Sequence, residues 1–138
     1  MIPLIGAVKR YVPQRDVEVG EPVRKCGRST GYTEGCILSI YLDIWIYYDR
    51  TRQSAFFKNQ FLVEPFSTYP NFVAKGDSGS LLVGAGEQAP AIGLVFAGIS
   101  PEQQSTANTS DQVQIVEGCG VANPISEVLD RLKIELLI

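Results

Sequence analysis

The chain contains no histidine, and that single absence removes the commonest general base available to an enzyme near neutral pH. It also weakens any zinc-site reading, because the three cysteines Cys26, Cys36 and Cys119 offer no close pair to supply four ligands. Three is an odd number, which argues against a secreted disulfide framework. Cys26 and Cys36 flank the turn-rich stretch CGRSTGYTEGC and could meet across a hairpin, but two ordinary buried thiols are the plainer expectation. Excess positive charge is missing too: the formal net charge is -3 and the pI near 4.9, with basic residues scattered rather than striped. Neither nucleic acid nor an anionic membrane surface is an expected partner. No apolar run is long enough to cross a bilayer, and the opening MIPLIGAVKR lacks the basic leader and long apolar stretch of a signal peptide. The expected compartment is therefore the cytoplasm.

What is present is enough for one globular domain. A chain of 138 residues with 45% hydrophobic and 20% charged residues can bury a core without metal or disulfide staples. We read residues 1–138 as a single domain, with 1–21 as a candidate linker or remnant of a preceding unit. Short strands separated by glycine and polar turns, with one helix at the end, point to an antiparallel barrel or sandwich. CILSIYLDIWIYY, from Cys36, alternates with period two. It places Ile40, Leu42, Ile44 and Ile46 on one face and Tyr41, Asp43, Trp45 and Tyr47 on the other. The aromatic face is either barrel packing or an interface with another chain. DRTRQ, from Asp49, reads as a turn and SAFFKNQFLVEPF as the returning strand; GSLLV and AIGLVFAG read as a second hairpin joined by GAGEQA. Residues 100–118 are a polar connection with a candidate strand at VQIV. A helix follows, with Asn123 as its N-cap and Pro124 in its first position.

The chemistry concentrates in VAKGDSGSLLV, from Val73 to Val83. A serine held between Asp77 and Gly79 in a glycine-bracketed turn presents its hydroxyl as a nucleophile would, yet a neutral hydroxyl needs a base beside it. GDSGSLLV, the following AIGLVFAG, the closing ANPISEVLD and the opening hairpin VRKCGRSTGYTEG resemble, in that arrangement, the C-terminal barrel of trypsin-like serine proteases, in the style of the bacterial members. The resemblance runs from Pro22 to Leu132. It implies a six-stranded antiparallel Greek-key barrel with a C-terminal α-helix. It also implies roles: Ser78 as nucleophile, the backbone N–H groups of Gly76 and Ser78 as the oxyanion hole, and Phe96, Ala97 and Gly98 as the strand that pairs with substrate and walls its specificity pocket. Phe72 falls where trypsin itself carries the aspartate of the pocket floor, so trypsin's preference for Lys or Arg is not carried over.

The triad's histidine and aspartate belong, in that family, to the other barrel, and no position here matches either. Three readings follow. The chain is the nucleophile-bearing half of a trypsin-like endopeptidase, inactive alone and completed by an N-terminal barrel from the same longer chain or another subunit. Alternatively it is a catalytically dead binding or homo-oligomerising module. In the third, Lys75 replaces the imidazole and the chain acts alone as a Ser-Lys hydrolase. None of the three calls for a metal or organic cofactor, and the substrate of an active form is a peptide.

Overall fold

The computed structural model describes residues 10–48, 53–85 and 89–132. Seven strands carry the fold: β1 (Pro22–Gly27), β2 (Gly31–Tyr48), β3 (Gln53–Pro65), β4 (Leu81–Gly84), β5 (Ala91–Gly98), β6 (Ala107–Thr109) and β7 (Gly120–Pro124). Two helices, α1 (Pro101–Gln104) and α2 (Ile125–Leu132), complete it. The strand order β1-β4-β5-β7-β3-β2 returns to β1 through the β1–β2 pairing, so six strands close into a barrel. All the pairings between named strands are antiparallel. The expected barrel is thus present. The seventh strand, β6, lies outside the ring on the free edge of β2, opposite Leu42 to Ile44.

Each of the six ring strands sends an apolar side chain inward: Val23, Ile37, Phe61 and Val63, Leu82, Ile92 and Val95, and Ala122. Phe72 and Val73, from the loop before Ser78, complete this interior cluster. A second cluster covers the outer side of β2, β3 and β7 around Leu42, Ile44, Leu62 and Val121. The third, smaller cluster joins Ile125 and Leu129 of α2 to Ala91, so the terminal helix closes the barrel beside β5.

The alternation along β2 buries Leu42, Ile44 and Ile46 under the outer cluster and leaves Tyr41 and Trp45 nearly half exposed, at 46% and 45%. Trp45 leans on Phe56 across the strand pair with ring centroids 5.2 Å apart. This aromatic pair is therefore surface rather than barrel filling.

Two sequence expectations shift. VQIV forms no strand; Ile115 and Val116 pack side-on against the second core cluster, and the main-chain edge of β2 is taken by Ala107–Thr109 instead. Asn123 and Pro124 belong to β7, opposite Leu94 and Gly93, and α2 starts at Ile125. Pro124, at the strand's last position, needs no ladder donor, so the same residue that favours a helix start also tolerates a strand end. The sequence-predicted turn at Asp49, half of GAGEQA and the first nine residues lie outside the described residues. Cys26 stands opposite Tyr32 and Cys36 opposite Pro22, and all three cysteines are free thiols.

Candidate active site

Ser78 sits on the loop that enters β4, and two anchors hold that loop. One is main-chain: Gly79 N–H donates to the Val95 carbonyl at 2.8 Å and Val95 N–H donates to the Ser80 carbonyl at 2.8 Å, which ties the loop to β5. The other is the carboxylate of Asp77, buried at 1% exposure. It accepts from Ser29 N–H at 2.7 Å, Thr30 N–H at 3.1 Å, the Thr30 hydroxyl at 2.6 Å and Ala74 N–H at 2.9 Å. The β1–β2 turn and the serine loop are thus fastened together by one side chain.

A lysine completes the clamp. Lys25 has no exposed side-chain surface and stands 3.6 Å from Asp77 Oδ2. Its ammonium donates to the Thr30 hydroxyl and, at 3.0 Å, to the Gly31 carbonyl, with the Phe72 ring 5.8 Å away. Thr30 therefore accepts from Lys25 and donates to Asp77, linking the two charges. Lys25 is a functional neighbour of the motif that the sequence motif itself does not contain. A signal existed: in β1, Val23 and Lys25 share the inward face, and a lysine at an inward position of a short strand needs a buried anion.

Burial alone would raise the Asp77 pKa, but the Thr30 hydroxyl and the Ala74, Ser29 and Thr30 amides outweigh it and hold the group at about 2. Burial lowers the Lys25 pKa, and Asp77 offsets part of that fall. At acid pH Lys25 is protonated in both folded and unfolded chains, so the acid response is that of Asp77. Its folded pKa lies below its unfolded value near 3.8. The stability it contributes is fully present above that value and is lost as pH falls through about 2. One pKa unit corresponds to about 1.4 kcal/mol, so the contribution is on the order of 2 kcal/mol. Chemical denaturation at a series of pH values between 5 and 2 is expected to show that loss, and Asp77→Asn is expected to remove this component of it.

The structure gathers most of the sequence-predicted site residues. The Ser78 hydroxyl donates to the Phe96 carbonyl at 3.1 Å, which brings the serine against the strand segment Phe96, Ala97 and Gly98. A carbonyl is an acceptor but no base at neutral pH, so this contact orients the hydroxyl without activating it. Gly76 has φ +101°, a conformation that suits glycine, and a Cβ there would stand 2.2 Å from Ser29 Oγ. Among the described residues, neither the Gly76 nor the Ser78 N–H donates a hydrogen bond to the protein. Both residues are exposed.

Phe72 differs from its expected place. It is fully buried in the interior cluster, its N–H bonded to the Gly118 carbonyl at 2.8 Å and its own carbonyl accepting from Thr33 at 2.8 Å. Gly120 makes room for it: a Cβ there would come within 2.8 Å of the ring, and one on Gly98 within 3.0 Å of Val73. The space between this loop and the ends of β5 and β7 is occupied by the protein's own side chains. Lys75 is exposed; the lysine that is buried near the motif is Lys25, and it serves Asp77. No group of three His, Cys, Asp or Glu side chains among the described residues is close enough to hold a metal ion. No helix among them is long and apolar enough to cross a membrane.

Comparison with known proteins separates family from fold. The sequence pattern of the Nal1 C-terminal domain matches residues 4–138. The chain belongs to the Nal1 C-terminal domain family. A search among curated proteins finds no matching relative. This Nal1 C-terminal domain is similar in structure to Thermobifida fusca protease A, with a TM-score of 0.62 and 19% identity over 98% of this chain and 57% of that one. It is similar to the Cellulomonas bogoriensis chymotrypsin at 0.61 and 19%, over 96% and 57% of the two chains. A third likeness, at 0.61 and 17% over 94% and 54%, is to a glutamic acid specific serine protease described as using a histidine triad in substrate binding. At such identities the likeness is one of fold. The Nal1 C-terminal domain therefore has the C-terminal barrel of the trypsin-like proteases, and it spans about half the length of those solved chains.

Proposed function

We propose that this domain is the nucleophile-bearing half of a trypsin-like serine endopeptidase, completed by a histidine from outside the chain. The observation that carries the reading is the placement of the Ser78 hydroxyl on the Phe96 carbonyl, beside two N–H groups that bond to nothing in the described protein. In the complete site Ser78 attacks a peptide carbonyl, the external imidazole takes its proton, and the Gly76 and Ser78 amides hold the oxyanion. The leaving amine takes that proton, and water then releases the acyl group. Phe96, Ala97 and Gly98 align the substrate main chain. The buried Lys25–Asp77 pair acts at one remove, by fixing the loop on which those amides stand. The supplier of the histidine is an N-terminal barrel, in the same longer chain or in another subunit.

The test is hydrolysis of an unstructured protein by the longer chain or complex in which the domain occurs. Activity lost completely in Ser78→Ala supports the reading; activity that survives in a folded Ser78→Ala protein contradicts it.

A further inference from the structure

The far half of the β2–β3 hairpin carries a face that the Ser78 site does not use. From Trp45 to Tyr48 β2 pairs only with β3, because β6 covers its other edge no further than Ile44. Gln53 to Phe57 of β3 pair, among the described strands, only with β2, because β7 reaches β3 only between Phe61 and Val63. This two-stranded arm buries Ile44 and Ile46 on one face, where the Phe57 and Phe96 rings meet at 4.6 Å. Trp45 and Phe56 stand on the other face, directly opposite one another, and Phe56 is 49% exposed. A two-stranded ribbon gains stability when such a face is packed.

Two charges close the patch at its barrel end. Asp43 precedes Trp45 by two residues and Lys58 follows Phe56 by two, so both lie on the aromatic face. The register shifts between the pairs Leu42–Gln60 and Ile44–Phe57, so Asp43 alone opposes Lys58 and Asn59. In that bulge the Asn59 N–H donates to Asp43 Oδ1 at 3.0 Å, with Asn59 at φ +57°. Lys58 is exposed, and among the described residues its ammonium has neither an ion pair nor a hydrogen bond. The patch therefore holds an anion and a ring on its β2 side, and a cation and a ring on its β3 side.

We infer that a second copy of this chain packs on this face, about a two-fold axis that runs along the arm between β2 and β3. Such an axis exchanges the two sides of the patch. It sets Asp43 against Lys58 of the partner subunit and Trp45 against the partner's Phe56, so one operation pairs the charges and the rings together. An axis across the strands pairs neither charge with its opposite. The occupant is a copy because the patch already contains its own complement, and aligned face-to-face packing of sheets provides the geometry. Each ring leaves roughly 100 Å² to be covered, about half of what an aromatic side chain can bury. That is the area of a reversible dimer rather than a permanent one. The inference uses no part of the Ser78 site and stands independently of the protease reading.

Sedimentation velocity of the 138-residue chain over a concentration series is the test. The expected result is a reversible monomer–dimer equilibrium. Lys58→Asp and Asp43→Lys are each expected to weaken it at least about tenfold, since each change enters the dimer twice and sets like charges together. An equimolar mixture of the two variants is expected to form dimers at concentrations where each alone is monomeric, because both contacts then join opposite charges. Trp45→Ala is expected to weaken the dimer by a similar factor, and it serves as the second variant if Asp43→Lys, which loses the Asn59 bond, does not fold. A wild-type chain that stays monomeric up to about 1 mM, a dimer that Lys58→Asp and Trp45→Ala leave intact, or a mixture of folded variants no more dimeric than its components would each overturn the inference. So would a longer chain containing the domain that is monomeric throughout the series, since its own residues would then cover the arm.

Discussion

Replacing Asp77 with alanine is expected to cost the fold about 3–5 kcal/mol, the range seen when one partner of a buried ion pair is removed. The substitution strands the Lys25 ammonium, which has no exposed surface, and leaves the Ser29, Thr30 and Ala74 amides without their shared acceptor. Denaturant unfolding at neutral pH measures the loss. The companion experiment separates the pair from the loop it holds: Lys25→Met joined to Asp77→Ala should cost clearly less than the two single losses combined, because neither charge is then buried alone. A cost for Asp77→Ala of no more than about 1 kcal/mol, the value of an exposed pair, would mean that the clamp is not closed in solution. Its closure matters for the site, since the same carboxylate joins the β1–β2 turn to the loop carrying Gly76 and Ser78.

Phe72→Ala is expected to destabilise by a similar amount, about 3–5 kcal/mol, as large-to-small changes of buried aromatics do. The expectation follows from full burial in the interior cluster and from the close fit of the ring over Gly120. A side chain lining an open substrate pocket would give a much smaller loss on truncation. The same unfolding measurement therefore decides whether Phe72 is core, as its burial states, or pocket lining, as its position in the motif suggested.

Sequence carried the barrel well because its signals are local. The period-two alternation of β2, the hairpin of β4 and β5 and the glycine-bracketed serine turn each depend on a few neighbouring residues; the structure keeps the last two, and the alternation holds from Leu42 to Ile46 while register shifts put Ile40 against the interior cluster instead. What escaped depends on pairings distant in the chain. Lys25 and Asp77 are far apart in sequence, so only the inward placement of a lysine hinted at a partner. Whether Phe72 fills the core or faces an opening depends on Gly98 and Gly120 arriving from other strands. VQIV had the composition of a strand, but tertiary packing gave its side chains a core face and gave the edge of β2 to a neighbouring segment. Ser100 and Pro101 form a short helix start, with Ser100 Oγ accepting from Gln103 N–H at 3.3 Å, whereas the same kind of signal at Asn123 and Pro124 falls at the end of a strand.

In the proposed function Ser78 stands as a nucleophile and is idle for want of a base within this chain. Intact-mass spectrometry of the purified domain after exposure to a serine-reactive fluorophosphonate tests it most directly, with Ser78→Ala as the control. No adduct is expected on the domain alone beyond the level of the control. Stoichiometric labelling that Ser78→Ala abolishes would contradict it, and would mean that a group inside this histidine-free chain takes the serine's proton.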